Sequence, residues 1–224
     1  MGTASITRRP LFALVPQPLR RLPACEARTI WKAIAAPIMN KRTVIVVDYD
    51  PSWPRDFEML RQSIWPDLAD VALRIEHVGS TSVPGLAAKP IVDMTIVVAT
   101  RDDVPKAIER LARLGYVHRG NLGIDDREAF DHPAGLRRHN LYLCPEGTIG
   151  VVNQVAVRDY LRANPEAATR YGDLKKQLAD RFPDDIDGYV LGKTDFVLDI
   201  LRRAGLTAEQ VEKIERDNRP RPLG

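Results

Sequence analysis

A glycine-serine turn between two apolar runs, with a lysine and an acid close behind, is a set of residue types able to hold a phosphate. In this chain the set is Gly79, Ser80, Thr81, Ser82, Lys89 and Asp93, within the stretch RIEHVGSTSVPGLAAKPIVDMTIVV from Arg74 to Val98. Glycine lacks the Cβ that would keep a ligand off the backbone, so exposed N–H groups and a hydroxyl can meet phosphate oxygens there. Lys89 adds a point charge. Asp93 lies in a run that reads as a strand, where alternate residues share a face. An Asp-x-Asp pair so placed would hold divalent ions that clamp the attacking and leaving oxygens of a nucleotidyl transfer. Here the second position is Thr95, a neutral hydroxyl. One carboxylate can hold Mg²⁺, or Mn²⁺ in its place, through substrate phosphates and water, with Glu76, Asp125, Asp126 and Asp131 as candidate further ligands. Asp93 is therefore the expected catalytic and metal residue, and Thr95 its outer metal partner. A plainer reading of the same residues makes Asp93 a brace for the turn and lets the three hydroxyls satisfy backbone groups around Pro84-Gly85.

The elements that must position this set follow from spacing. A strand is expected over Thr43 to Val47, then a helix entered at Asp50-Pro51-Ser52-Trp53-Pro54 with Ser52 as its N-cap. Strands at about Ala72 to Val78 and Ile91 to Val98 flank the turn. A helix opened by Asp102 and Asp103 ends at Gly115, and short strands follow at Tyr116 to His118 and Asn140 to Cys144. The charged, Gly-, Asp- and Pro-containing stretch between Arg119 and Arg138 reads as a functional loop bordering the site. Asn164-Pro165-Glu166 opens a helix with Ala167, Tyr171, Leu174, Leu178 and Phe182 on one side. Another helix runs from about Asp187 to Ala204, and Thr207 with Gln210 forms a capping box for a last short one. Strands first and helices gathering late predict an α+β fold, a small mixed sheet covered by helices.

With 224 residues and 44% hydrophobic content, the chain can bury one sizeable core. The 33 basic residues nearly balance 30 acidic ones, which gives little support for nucleic acid as a non-specific partner. Cys25 and Cys144 form no metal-binding or disulfide pattern, which suits a cytoplasmic protein, and no apolar run reaches the ~20 residues needed to cross a bilayer. Residues 1–38 are basic and proline-broken. They read as a disordered extension, with Met39 as the expected natural start. The domain is expected over residues 39–205, with a short helix and tail over 206–224.

The run Glu76-His77-Val78-Gly79-Ser80-Thr81-Ser82-Val83-Pro84-Gly85, followed by Lys89-Pro90-Ile91-Val92-Asp93, resembles the hallmark of the GrpB family. Asp48 to Trp53, Arg138-His139-Asn140-Leu141-Tyr142 and Arg158-Asp159-Tyr160-Leu161 continue the resemblance, which covers about Val44 to Ala204. It implies a nucleotidyltransferase-like fold, binding of a nucleotide or small phosphorylated ligand, and either nucleotidyl transfer or a non-catalytic module like the domain fused behind dephospho-CoA kinases in some bacteria. The resemblance also implies a second acid, present in many members of the family, where this chain has Thr95, a departure that bears on two-metal catalysis. His77, Arg138 and His139 join the turn as expected phosphate contacts on the same basis.

Gly188-Tyr-Val-Leu-Gly192-Lys193-Thr194 has three residues between its glycines where a P-loop needs four, and it follows a helical period, although Lys193 can still face the site. Lys175 and Lys176, with Arg170 and Arg181, read as a solvated helix face opposite Leu174 and Leu178.

Overall fold

The computed structural model describes residues 43–218, so the expectations for residues 1–38, for Met39 as the start and for the last six residues lie outside the described residues. In chain order the elements are α1 (Trp53–Leu68), β1 (Ala72–Val78), β2 (Val92–Val98), α2 (Val104–Arg113), β3 (Val117–His118), β4 (Glu128–Asp131), β5 (His139–Pro145), α3 (Ile149–Ala163), α4 (Pro165–Arg181), α5 (Ile186–Arg203) and α6 (Ala208–Asn218). The strands form one sheet in the order β1-β2-β5-β4-β3. β2 and β5 run parallel, while the β1–β2, β4–β5 and β3–β4 pairs are antiparallel. This is the mixed sheet with covering helices that the order of periodic segments implies.

The pleat sorts side chains onto two faces. Ile75, Met94, Ile96, Leu141 and Leu143 point to one face, where they are buried against Leu60, Ile64 and Leu68 of α1 and Leu111 of α2. The opposite face carries Glu76, Val78, Asp93, Thr95, Asn140 and Tyr142, aligned by the registers Val78↔Asp93, Glu76↔Thr95, Asp93↔Asn140 and Thr95↔Tyr142. The C-terminal helices reach this second face: Gln154 of α3 accepts a hydrogen bond from Thr95, and Arg158 of α3 holds Glu76. The candidate phosphate site therefore lies between the sheet and the helices that follow it in sequence.

Several local expectations change. Thr43 to Val47 makes only a single bridge, Val47↔Ala88, because Val44 packs into a cluster with Leu178 and Tyr189 instead of beside another strand. Ser52 makes no side-chain cap. Its own amide donates to the Asp50 carboxylate at 2.8 Å, and that acid orders the turn before α1. The stretch between Arg119 and Arg138 contains β4, whose Ala129 and Phe130 are buried. Residues 149–163, left unassigned by periodicity, form α3. Val151, Val152, Val155 and Val157 lower its helical propensity, but burial of Val151 and Leu161 overrides them. The capping box before α6 forms as expected, with Thr207 N donating to Gln210 Oε1 at 2.9 Å. The P-loop look-alike lies inside α5.

Candidate functional site: a lysine-lined hollow beneath the Gly79 turn

β1 ends against the carboxylate that β2 presents. Gly79 adopts φ 68°, ψ −173°, a conformation open essentially only to glycine. A Cβ at this position would lie 2.9 Å from both Cβ and Cγ of Asp93, and closer still to its Oδ2. The glycine is thus required twice, by its backbone and by the acid packed beneath it. Ser80–Ser82 then form a single 3-10 turn, with the Ser82 amide donating to Gly79 O and the Val83 amide to Ser80 O. Each hydroxyl of the turn has an internal partner. Ser80 Oγ accepts from Lys175 Nζ at 2.8 Å, Thr81 Oγ1 meets His77 Nε2 at 3.1 Å, and Ser82 Oγ donates to Gly79 O at 2.6 Å.

Asp93 is half-buried and accepts a hydrogen bond from Asn140 Nδ2 at 2.7 Å. Burial raises its pKa, while Asn140 and then Lys89, Lys193 and Lys175 act in the opposite direction. These three ammonium groups come from three places in the chain: the connection before β2, α5 and α4. Lys175 is 2% exposed, donates to Ala87 O at 2.5 Å as well as to Ser80, and stands 4.6 Å from the Tyr171 ring centroid. Burial, with Lys193 adding to it, lowers its pKa to about 7. Lys193 is lowered to about 8 by burial and by Lys89, and both Lys193 and Lys89 lie over the Tyr189 ring, at 5.3 and 5.6 Å. Three basic side chains therefore act on one acid, and because Asp93, Lys89 and Lys193 are only half-buried the cluster is partly open to solvent.

Lys175 does not lie on a solvated face. It follows Tyr171 by four residues and precedes Leu178 by three, which places it on the inward stripe of α4. Gly172, 3.6 Å from Ala87 when given a Cβ, lets α4 approach the connection that carries the turn, and Lys175, one turn later, enters the interior.

The donors for divalent ions do not gather here. Thr95 shares the Asp93 face, as strand alternation requires, but it is 1% exposed and donates to Gln154 Oε1 at 2.5 Å. Burial tends to raise the Glu76 pKa, but Arg158 at 2.6 Å and Arg74 at 2.8 Å outweigh it and the net shift is downward. Asp125 pairs with Lys213, Asp126 with Arg101 and Asp131 with Arg119. Among the described residues no group of three His, Cys, Asp or Glu side chains could hold a metal ion. One carboxylate among three ammonium groups is a poor fit for a divalent pair and a good one for an anion.

His77 and His139 are not brought into the hollow. Each is one residue out of phase with the Asp93 face: His77 pairs with Met94, and His139 with Val92. His77 stacks on Phe57 at 4.6 Å, and burial, with Arg162 and Arg158, lowers its pKa to about 4. His139 takes Tyr116 Oη at 2.9 Å and the Arg137 carbonyl at 2.7 Å, and burial lowers its pKa as well. Arg138 is exposed at the rim of a separate cleft over β4 and β5. Among the described residues no helix is long and apolar enough to cross a membrane.

A family model described as GrpB protein matches residues 43–203. UPF0157 protein YqkA of Bacillus subtilis is 35% identical over 157 residues, which is 70% of this chain and 46% of that protein, so this chain spans less than half of that relative. The crystal structure of conserved protein GrpB from Enterococcus faecalis superposes with a TM-score of 0.65 and 37% identity, covering 76% of this chain and 99% of that one. A dephospho-CoA kinase of Mycolicibacterium paratuberculosis is 26% identical over 80% of this chain and 52% of its own length. The structural neighbours also include the Cid1 poly(U) polymerase with MgGTP bound, at a TM-score of 0.45 and 13% identity over 61% of this chain and 45% of that one.

Proposed function

The chain belongs to the GrpB family, and from that premise we propose that it binds the phosphate groups of a nucleotide, or of a similar small phosphorylated ligand, between the Gly79 turn and Lys89, Lys175 and Lys193. The observation that carries this reading is the burial of Lys175 and the half-burial of Lys193 close to the single carboxylate of Asp93. Cations held away from water are costly without a counter-charge. The lowered pKa values of Lys175 and Lys193 express that cost, and a bound phosphate would relieve it. Asp93 then orients and partly balances the lysines, and Asn140 fixes its rotamer.

Nucleotidyl transfer with Mg²⁺ or Mn²⁺ would have to proceed with Asp93 as the lone carboxylate on the ion, since Thr95 is turned to Gln154. In this reading the lysines neutralise the phosphates without a metal ion. The test is thermal unfolding of the full chain with ATP, ADP or pyrophosphate, each in EDTA and with Mg²⁺ or Mn²⁺, beside Lys193→Gln. At a hundredfold excess over Kd a ligand adds ~2.7 kcal/mol, a rise of roughly 5–10 °C for a domain of this size. The expected result is stabilisation in EDTA that Lys193→Gln abolishes. Stabilisation only with metal would replace the lysine reading by the metal one. No response to any ligand would leave a non-catalytic scaffold.

A further inference from the structure

A cleft of about 600 Å³ opens along β4 and β5, lined by residues of both strands. Asn140 belongs to the cleft and to the lysine hollow: it donates to Asp93 and lines the cleft. Tyr142, two residues on and therefore on the same face, forms part of the lining, and the Arg127 guanidinium lies 4.8 Å from its ring centroid. Arg119 and Arg138 are the basic side chains of the lining, against one acid, Asp131. Arg119 stands 3.6 Å from Asp131, whereas Arg138 is exposed and makes no ion pair or hydrogen bond among the described residues. The volume falls within the ~300–1,000 Å³ of small-molecule sites. An arginine fork free to take a bidentate oxyanion, beside a half-buried aromatic ring, suits an anionic group attached to a flat ring or sugar.

Resting on the reading of the hollow as a phosphate site, we propose that this cleft is a subsite for a second anionic group, bound by Arg138 with Arg119 in support and packed along Tyr142. The preferred ligand is then not a simple mononucleotide. Either one molecule carries two separated anionic groups, or a phosphorylated or carboxylated second molecule binds beside the first. The two sources share one chemistry and differ in how binding saturates.

The test is a titration of the ¹⁵N-labelled full chain with adenosine 3′,5′-bisphosphate and, separately, with AMP. The Gly79 amide reports the hollow, and the Arg138 Nε and Tyr142 amide report the cleft. With the bisphosphate all three signals should move. A single saturation curve assigns both groups to one molecule, and two curves assign the second group to another molecule. Arg138→Gln should silence the Tyr142 amide and weaken bisphosphate binding roughly tenfold, the effect of losing one charge-assisted contact, while AMP binding is unchanged. Movement of Gly79 with a silent cleft would overturn this inference and leave the hollow intact. Movement of the cleft with a silent Gly79 would keep an anion site there and overturn the hollow. Silence at all three positions would remove both.

Discussion

Substituting Gly79 by alanine tests the most constrained contact of the site. The new side chain would meet two penalties. At φ 68°, ψ −173° a non-glycine residue carries backbone strain of about 1–3 kcal/mol. Its Cβ would also lie 2.9 Å from Cβ and Cγ of Asp93, so the acid must move and surrender its 2.7 Å bond from Asn140. A hydrogen bond to a charged group contributes about 1.5–3 kcal/mol. The combined loss is about 3–5 kcal/mol, or a melting temperature lowered by roughly 6–20 °C. Gly85 supplies the control: its φ is also positive, at 76°, but nothing lies within 4 Å of its missing Cβ, so Gly85→Ala should cost only about 1–2 kcal/mol. Calorimetric melting and urea unfolding of the two variants measure the difference. Equal destabilisation would refute the argument, since it would mean that the acid does not pack beneath the turn.

Two other substitutions bear on the same face and its charges. Thr95→Asp should not create a metal site: it places a carboxylate in a position 1% exposed, opposite the Gln154 oxygen, so stability should fall by about 2–4 kcal/mol in urea unfolding with no gain in Mn²⁺ affinity. Lys175 and Lys193 have folded pKa values of about 7 and about 8, below the 10.5 of a free lysine, so between those limits the unfolded chain binds more protons than the folded one. Stability should therefore rise with pH from about 7 toward 10, and Lys175→Met should flatten that rise. A wild-type profile that falls or stays level over this range, measured by urea unfolding, would contradict the burial of those ammonium groups.

The sheet and most of the helices were legible because their apolar residues repeat with the right period: β1, β2 and β5 were found to within a residue or two, as was α5. α3 was hidden by its valines, whose β-branching suggests strand, and only packing makes it a helix. Within the site, the juxtaposition of Gly79 with Asp93 follows from a strand pair joined by a short connection, and strand alternation put Thr95 on the Asp93 face. Alternation also argues against His77 and His139, which are adjacent in sequence to site residues and on the other side of the sheet in space. Lys175 had a visible signal in its spacing from Tyr171 and Leu178, but a lysine pair suggests solvent, and that expectation prevailed. The partnership of Lys175 with the turn joins residues 95 apart, and no local pattern records it.

Calorimetric titration of ADP in EDTA at pH 7 and pH 9 distinguishes lysines from a metal ion as the groups that receive the phosphates. ADP is fully ionised across the range, since the second phosphate pKa is about 6. Lys175 and Lys193, titrating at about 7 and about 8 when the hollow is empty, should take up protons as the ligand binds. Affinity should then fall on the order of a hundredfold from pH 7 to pH 9, with proton uptake revealed by buffers of different ionisation enthalpy. Binding that is independent of pH and takes up no proton, or that appears only when Mg²⁺ is restored, would contradict the lysine reading.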